Sequence, residues 1–319
     1  MIDLISELIK KNLLPPHIRK QPIEIKYFLH TAPAFFEEGK NVFFAFLDND
    51  STPYFTITLV QNKAGQEELL ISEKLAPILN GHIVRPLFSF PVDNSLLIFY
   101  KYIPSFSFLF YPEKKKKELL LRSFELILEI TDFFLGANGA LWPKEALIAT
   151  IKKEIILFNP DTNLLKKLEA DIRNLELFLL SQDLRKIPQH GDYSIVNLRF
   201  KEKEIYIFDL AHFFKTAIPF YDIVSFLLSL FTDKTWVAHA NLRKWILCNV
   251  YPDFIEKYAS LIKVNKETFS KLFPFLLIMR FNYYNLPSRN NIMGEIIYKI
   301  IKTYYGEARK DCIGLFRRI

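Results

Sequence analysis

Residues 187–213 read IPQHGDYSIVNLRFKEKEIYIFDLAHF, and residues 219–223 read PFYDI. Two short runs of strand formers, NLRF and EIYIF, lie on either side of a charged turn, so the segment predicts a β-hairpin. Three polar residues stand out against this background: Asp192, Asn197 and Asp209, the last of which closes the second strand. Two carboxylates and an amide brought together by a hairpin form oxygen ligands that suit Mg²⁺ and can orient a hydroxyl nucleophile. The segment therefore indicates phosphoryl transfer as a candidate chemistry.

Each of these residues also has a purely structural interpretation. Asp192 follows Gly191 and could be an ordinary turn residue, and Asn197 could be one as well. The chemical interpretation is favoured because the residues occur as an ordered set, which Asp222 continues in the PFYDI segment.

The order of these motifs resembles the catalytic segment of the aminoglycoside phosphotransferase and choline kinase branch of the protein-kinase-like superfamily. The matching stretches are HGDYSIVN at 190–197, IFDLAHF at 207–213 and PFYDI at 219–223. LLIFYKYIPS at 96–105 is similar to the hinge of that family. The resemblance implies an α+β, bilobal protein-kinase-like fold, with a small N-terminal antiparallel-sheet lobe and a larger, mainly helical C-terminal lobe.

The pattern along the rest of the chain agrees with two such lobes, placed at 1–102 and 103–319, with a helical insertion at about 142–185. Turn formers divide 41–60 into a predicted hairpin, and apolar residues at helical spacing precede Pro77. The predicted elements are helices at 1–14, 66–79, 114–135, 144–158 and 162–182, and strands at 82–90 and 95–100.

The resemblance also implies a role for each matching residue. Asp192 would be the catalytic residue that accepts or orients the proton of the acceptor hydroxyl. Asn197 and Asp209 would hold the Mg²⁺ that bridges the phosphates of ATP. His190 would fix the loop by hydrogen bonding, and Asp222 would brace the same loop from the following helix.

The nucleotide-binding half matches less well. Backbone groups of Lys101 and Ile103 would meet the edge of adenine. The family places a lysine on the second strand of the N-terminal hairpin, where it pairs with a glutamate of the next helix. Here the strand reads YFTITLV, so Thr58 or its neighbour Thr56 takes that position. Glu68 is the expected helix glutamate, with Glu73 as an alternative, and the missing charge would have to come from Lys40, Lys63 or Arg85.

Composition excludes several classes of protein. The chain has 319 residues, half of them hydrophobic, which excludes a disordered chain and a small disulfide scaffold. Its two cysteines belong to no metal-binding pattern. The apolar runs at 223–231 and 272–279 are too short to span a membrane, and the basic pair after the first apolar residues is in the wrong order for a secretory signal. We therefore expect a cytoplasmic protein.

The predicted function is ATP- and Mg²⁺-dependent phosphorylation of a hydroxyl on a small molecule or glycan. With 42 Lys and Arg against 35 Asp and Glu, the formal charge is +7, which suits a neutral or anionic acceptor better than a polycation. The aromatic stripe at 273–284 is favoured as core. Its polar-tipped residues Arg280, Tyr283 and Tyr284 are the candidates for a wall of the acceptor site, because the C-terminal helices of the resembled kinases face the acceptor. The alternative is a pseudokinase with a scaffold or regulatory role, because the strand lysine is replaced. A nucleic-acid partner is not expected, since no reader motif is present.

Overall fold

The computed structural model describes residues 1–28, 41–47, 50–79, 81–104, 108, 111–136, 140–232, 240–284 and 291–306. The chain forms two compact units. The first comprises Met1–Ser107 and Arg199–Ala211, and the second comprises Phe108–Leu198 and His212–Ile319. The division expected from the sequence, at 102 and 103, differs from this grouping because residues 199–211 pack with the first unit.

The first unit is built on a five-stranded antiparallel sheet in the order β1-β2-β3-β5-β4. Its strands are β1 (Ile23–Phe28), β2 (Asn41–Leu47), β3 (Phe55–Gln61), β4 (Pro86–Val92) and β5 (Ser95–Lys101). The hairpin expected at 41–60 is the β2–β3 pair, in which Asn41 lies opposite Leu59. Strand β1 was not expected, although its sequence IEIKYF alternates in the way that indicates a half-buried strand.

Each face of this sheet is covered by a helix. Helix α1 (Ile2–Asn12) packs Ile5, Leu8 and Ile9 into an apolar cluster. The sheet contributes to this cluster the side chains of Phe43, Ala45, Leu47, Phe55, Ile57, Leu97 and Phe99. Helix α2 (Asn62–Leu75) covers the opposite face, where Leu69 packs against a cluster formed by Val60, Leu96 and Ile98. Because strand side chains alternate between faces, Thr56 and Thr58 lie on the face that α2 covers.

The second unit is helical. Its helices are α3 (Glu113–Gly136), α4 (Lys144–Phe158), α5 (Thr162–Leu179), α6 (Tyr221–Thr232), α7 (Ala240–Trp245), α8 (Tyr251–Leu261), α9 (Glu267–Tyr284) and α10 (Asn291–Gly306). The three helices expected at 114–135, 144–158 and 162–182 are α3, α4 and α5. Helix α9 contacts α4, α5, α6, α8 and α10. It is therefore central to this unit, and its apolar residues from Leu272 to Ile278 are buried.

A short hairpin, β6 (Leu198–Lys201) and β7 (Glu204–Ile207), corresponds to the one expected in the motif segment. It joins the first unit through Ile207, which forms a parallel bridge with Ile83 and donates its N–H to the carbonyl of His82 at 2.7 Å. Among the helices of the described residues, none has the length and apolar character needed to cross a membrane.

Candidate active site

The motif loop at 189–197 is held in a tight backbone conformation. Gly191 has φ of +82°, and a Cβ at this position would lie 2.7 Å from the carbonyl oxygen of His212. Only glycine fits such a close approach in the left-handed region. The His190 side chain is buried, and its Nδ1 accepts the N–H of Asp192 at 3.2 Å. The loop conformation therefore depends on both residues that precede Asp192.

Asp222, in the first turn of α6, forms hydrogen bonds with the backbone of this loop. Its two carboxylate oxygens accept the N–H groups of His190 and Gly191, at 2.6 and 2.9 Å. The N–H of Asp222 in turn donates to Oε1 of Gln189 at 3.1 Å. Burial raises the pKa of Asp222, and this is opposed by the charge of His190 and by the two backbone hydrogen bonds. Asp222 therefore hydrogen-bonds the backbone of the loop, and its functional role as a brace stays a prediction.

The carboxylate of Asp192 receives one hydrogen bond on each oxygen. Oδ1 accepts from Nη2 of Arg280 at 2.8 Å, and Oδ2 accepts from Nδ2 of Asn197 at 3.0 Å. Burial pushes the pKa of Asp192 upward, but the charge and hydrogen bond of Arg280 outweigh this effect and lower it. The side chain remains 14% exposed. Asp192 is therefore an oriented, ionised carboxylate that still reaches the surface of its unit.

Arg280 lies in the stripe at 273–284, for which core packing was the favoured interpretation and an acceptor wall the alternative. It is fully buried on α9, as the core interpretation predicts. Besides Asp192, its guanidinium donates to the carbonyl of Gly191 at 2.9 Å and to the hydroxyl of Tyr284 at 2.5 Å. Tyr283, also named for the wall, and Tyr284 are half-buried and face the guanidinium with their rings. Arg280 thus hydrogen-bonds the motif loop from helix α9.

Asn197 ends a single 3-10 turn, Ile195–Asn197, directly before β6. Its amide nitrogen also donates to the backbone carbonyl of Asp192 at 2.9 Å. Because the amide nitrogen is bound to Asp192, the amide oxygen is the side-chain atom with which Asn197 could coordinate a cation. Its oxygen chemistry fits Mg²⁺.

Asp209 follows β7 and has φ of +57°, an uncommon conformation for a residue other than glycine. Asn197 belongs to the second unit and Asp209 to the first, so their joint coordination of a cation stays a prediction. Within the described ranges, no group of three or more His, Cys, Asp or Glu side chains forms a metal cluster.

The expected lysine–glutamate pair is replaced in the first unit by a different contact. The hydroxyl of Tyr100 donates to Oε1 of Glu68 at 2.8 Å, and Thr58 is buried on the same face of the sheet. Burial and the charge of Glu68 raise the pKa of Tyr100 well above its usual value. Of the proposed substitutes for the lysine, Lys63 is exposed, Arg85 donates to the carbonyl of Ala76 at 3.0 Å, and Lys40 lies outside the described residues.

Lys101 and Ile103 lie at the end of β5. The N–H of Tyr102, between them, donates to the carbonyl of Tyr54 at 3.0 Å, on the β3 side. Since consecutive residues of a strand direct their backbone groups to opposite sides, Lys101 directs its backbone groups away from β3. Ile103 follows two residues after the end of the strand. Strand β4 begins at Pro86, opposite Tyr100, so its ladder does not extend to them. This geometry is compatible with the expected contact to a base edge.

No family model matches the chain, and no curated protein matches it. The chain is nevertheless similar to solved structures. A thermostable mutant of aminoglycoside phosphotransferase APH(4)-Ia, in ternary complex with ADP and hygromycin B, has a TM-score of 0.56 and 10% identity, with 94% of this chain and 100% of that chain covered.

Two further structures give similar values. A choline/ethanolamine kinase family protein from Mesorhizobium loti has a TM-score of 0.50 and 13% identity, with 100% of this chain and 99% of that chain covered. A glucosamine kinase has a TM-score of 0.51 and 12% identity, with 94% and 83% covered. The chain therefore has the kinase-like fold of the aminoglycoside phosphotransferases and the choline/ethanolamine kinase family protein, as the motif order predicted.

Proposed function

We propose that the chain is an ATP- and Mg²⁺-dependent phosphotransferase that acts on a hydroxyl group of a small molecule or glycan. The observation that carries the proposal is Asp192, a carboxylate held on both oxygens and still 14% exposed. Structures with the same fold are small-molecule kinases, and the aminoglycoside phosphotransferase complex contains ADP. The cytoplasm, expected from the sequence, is the proposed location.

In this proposal, Asp192 accepts a hydrogen bond from the acceptor hydroxyl and aims its oxygen at the γ-phosphorus of ATP. The acceptor O–P bond forms as the bond to the β-phosphate oxygen breaks, and the hydroxyl proton passes to Asp192. The lowered pKa of Asp192 makes it a weak base. This is compatible with phosphoryl transfer, in which the transition state is loose and positioning matters more than early proton removal.

The amide oxygen of Asn197 and the carboxylate of Asp209 are the groups proposed to hold Mg²⁺. When bound, the ion would supply positive charge that offsets the charge of the phosphates. His190 and Asp222 keep the loop in shape through the Asp192 and Gly191 N–H groups, so that Asp192 does not have to be ordered when substrates bind.

The nucleotide is proposed to meet the first unit at two places. The backbone of Lys101 and Ile103 would contact the base edge, and the region of Thr58 and Glu68 would face the phosphates. No lysine occupies the strand position, so the contribution of this region to phosphate binding is proposed to be weaker than that of a lysine.

The acceptor is proposed to be neutral or anionic. The charge of Asp192 is compensated by Arg280 at 2.8 Å, and that of Asp222 by two backbone N–H groups. The loop therefore presents little uncompensated negative charge to an amine, in line with the net charge of +7 of the whole chain.

A pseudokinase is the second candidate, and one contact favours it. Glu68 is bonded to the neutral hydroxyl of Tyr100, where a catalytic kinase of the resembled family would offer a lysine. In this alternative the fold acts as a scaffold, and nucleotide binds weakly or not at all.

The experiment that separates the two candidates measures ADP release from ATP with a panel of neutral, acidic and amine-bearing alcohols. We expect release that requires Mg²⁺, is stimulated by a neutral or acidic alcohol and is abolished in Asp192→Ala. Thermal-shift titration with ATP, with and without Mg²⁺, is run in parallel, because binding to the native state raises the unfolding midpoint by mass action. ATP binding with no turnover for any acceptor would support the pseudokinase.

A further inference from the structure

A buried guanidinium in the second unit serves no evident packing purpose. Arg280 lies in the apolar sequence FPFLLIMRFNYY on α9 and is completely buried. Removing a charged group from water is costly, and buried ion pairs are often no better for stability than apolar residues of the same volume. The position of Arg280 is therefore better explained by what it contacts than by core packing.

What it contacts is the catalytic loop, at two points. One guanidinium nitrogen donates to the carbonyl of Gly191 at 2.9 Å, and another donates to Oδ1 of Asp192 at 2.8 Å. The first contact locates the backbone just before Asp192, and the second sets the rotation of its carboxylate. A planar guanidinium can bind both acceptors at fixed relative positions, which the single ammonium of a lysine does less well.

The guanidinium is itself held in place. Its carbon lies 4.5 Å from the ring centre of Tyr283, 4.7 Å from that of Tyr284 and 5.6 Å from that of Tyr221. Cations are attracted to the faces of such rings, most strongly away from water. These three tyrosines form an aromatic cage, and in it Arg280 has little freedom to leave Asp192.

We propose that Arg280 is a positioning residue for phosphoryl transfer, which acts through Asp192 by fixing the direction of its carboxylate before substrates bind. This inference rests on the proposed function. It adds a residue that comes 88 positions after Asp192 and that belongs to none of the motifs of the catalytic segment. The role concerns geometry, so its effect should appear in the transfer step and not in nucleotide binding.

The test compares wild type with Arg280→Met and Arg280→Lys, as the full chain. ADP release from ATP and Mg²⁺ is measured with water as the acceptor and with the most effective alcohol of the panel. We expect Arg280→Met to lower kcat by about 100-fold, the loss typical of a misplaced catalytic group, with KM for ATP changed less than about threefold. Arg280→Lys keeps the charge and should recover part of the lost kcat.

A matched control separates positioning from stability. Leu272→Ala removes a fully buried side chain from the same helix and leaves the guanidinium in place, so it should lower the unfolding midpoint and leave kcat unchanged below that midpoint. As a milder variant, Tyr284→Phe removes only the hydroxyl that accepts from Arg280, and it should lower kcat with KM for ATP retained. It keeps the inference testable if Arg280→Met does not fold.

Chemical rescue provides an independent readout. Millimolar methylguanidinium should restore part of the turnover of Arg280→Ala and none of that of Asp192→Ala. Wild-type kcat in folded Arg280→Met and Tyr284→Phe would overturn the inference while leaving the proposed function in place. Absence of ADP release from wild type with every acceptor, water included, would overturn the proposed function and this inference with it.

Discussion

Tyr100 donates its hydroxyl hydrogen bond to Oε1 of Glu68, so the carboxylate of α2 is bound to a residue of β5 and not to a cation of β3. Thr58, on β3, has a short neutral side chain on the face of the sheet that α2 covers. The arrangement keeps Glu68 partnered without placing a positive charge next to the expected phosphate positions. If the first unit binds ATP as proposed, Thr58 is the position at which a positive charge could be added next to Glu68.

Restoring the charge at this position should strengthen nucleotide binding. In Thr58→Lys, the ammonium would have Glu68 as a partner and could contact a phosphate. We expect the affinity for ATP, measured by calorimetry with Mg²⁺, to rise roughly tenfold, as one added charge-assisted hydrogen bond would give. Thr58→Val is the matched control, since it removes the hydroxyl without adding charge and should leave the affinity unchanged. Folded Thr58→Lys that binds ATP no better than Thr58→Val would contradict the assignment of this position.

Asp192→Asn should abolish turnover while ATP affinity stays within a factor of about three, because the amide cannot take the hydroxyl proton. The variant also leaves the buried charge of Arg280 without its carboxylate, so the free energy of unfolding should fall by about 3 kcal/mol. Turnover and urea unfolding are measured on the same preparation. Asp183→Asn, an exposed carboxylate of the same unit, is the control and should change neither quantity. Turnover retained in Asp192→Asn would exclude Asp192 as the base.

The local part of this site could be predicted from sequence, and the distant part could not. The hairpin was predicted from turn residues and strand-forming runs, and the role of Asp222 from the resemblance in motif order within 190–223. Helices α3 to α5 were likewise predicted from the helical spacing of their apolar residues. Arg280 was predicted only as part of a core stripe or of an acceptor wall, because nothing local in the sequence encodes which buried group a helix will contact 88 positions away.

The first unit shows the same limit. The sequence indicates that the strand lysine is absent, but it does not reveal that Tyr100 replaces it as the partner of Glu68, because that contact depends on the pairing of β3 with β5. The grouping of residues 199–211 with the first unit also depends on a tertiary contact, the bridge between Ile83 and Ile207. Periodicity predicts elements, whereas such pairings between elements need the folded chain.

Asp209→Ala should remove the metal dependence of nucleotide binding. If the carboxylate holds Mg²⁺, wild type should bind ATP more tightly with Mg²⁺ than with EDTA, and the variant should bind equally in both. The loss of one hard anionic ligand is expected to account for the whole difference. Titrations of wild type, Asp209→Ala and Glu204→Ala test this, the last being an exposed carboxylate on β7. An undiminished effect of Mg²⁺ in Asp209→Ala would place the ion elsewhere.

Gly191→Ala should destabilise the second unit. The added Cβ would meet the carbonyl oxygen of His212 at 2.7 Å, and φ of +82° is itself unfavourable for alanine. We expect the free energy of unfolding to fall by about 2 kcal/mol or more. Gly136→Ala is the matched control, since nothing lies within 4 Å of its added methyl group. Equal midpoints in urea for the two variants would mean that the loop is free to relax around the methyl group.

The pair of Asp192 and Arg280 also predicts a pH dependence of stability. The pKa of Asp192 is lowered in the native state, so its stabilising effect is complete above the unfolded value of about 3.9 and is lost as the pH falls through the native value. Wild type should therefore have a higher free energy of unfolding than Asp192→Asn. We expect this difference to be largest at about pH 6 and to shrink toward pH 3. Asp222 has the opposite effect on the pH dependence of stability, because burial raises its pKa. Both proteins contain Asp222, so its contribution cancels when their free energies of unfolding are compared. A difference that stays constant or grows in acid would mean that Asp192 is not held ionised by Arg280.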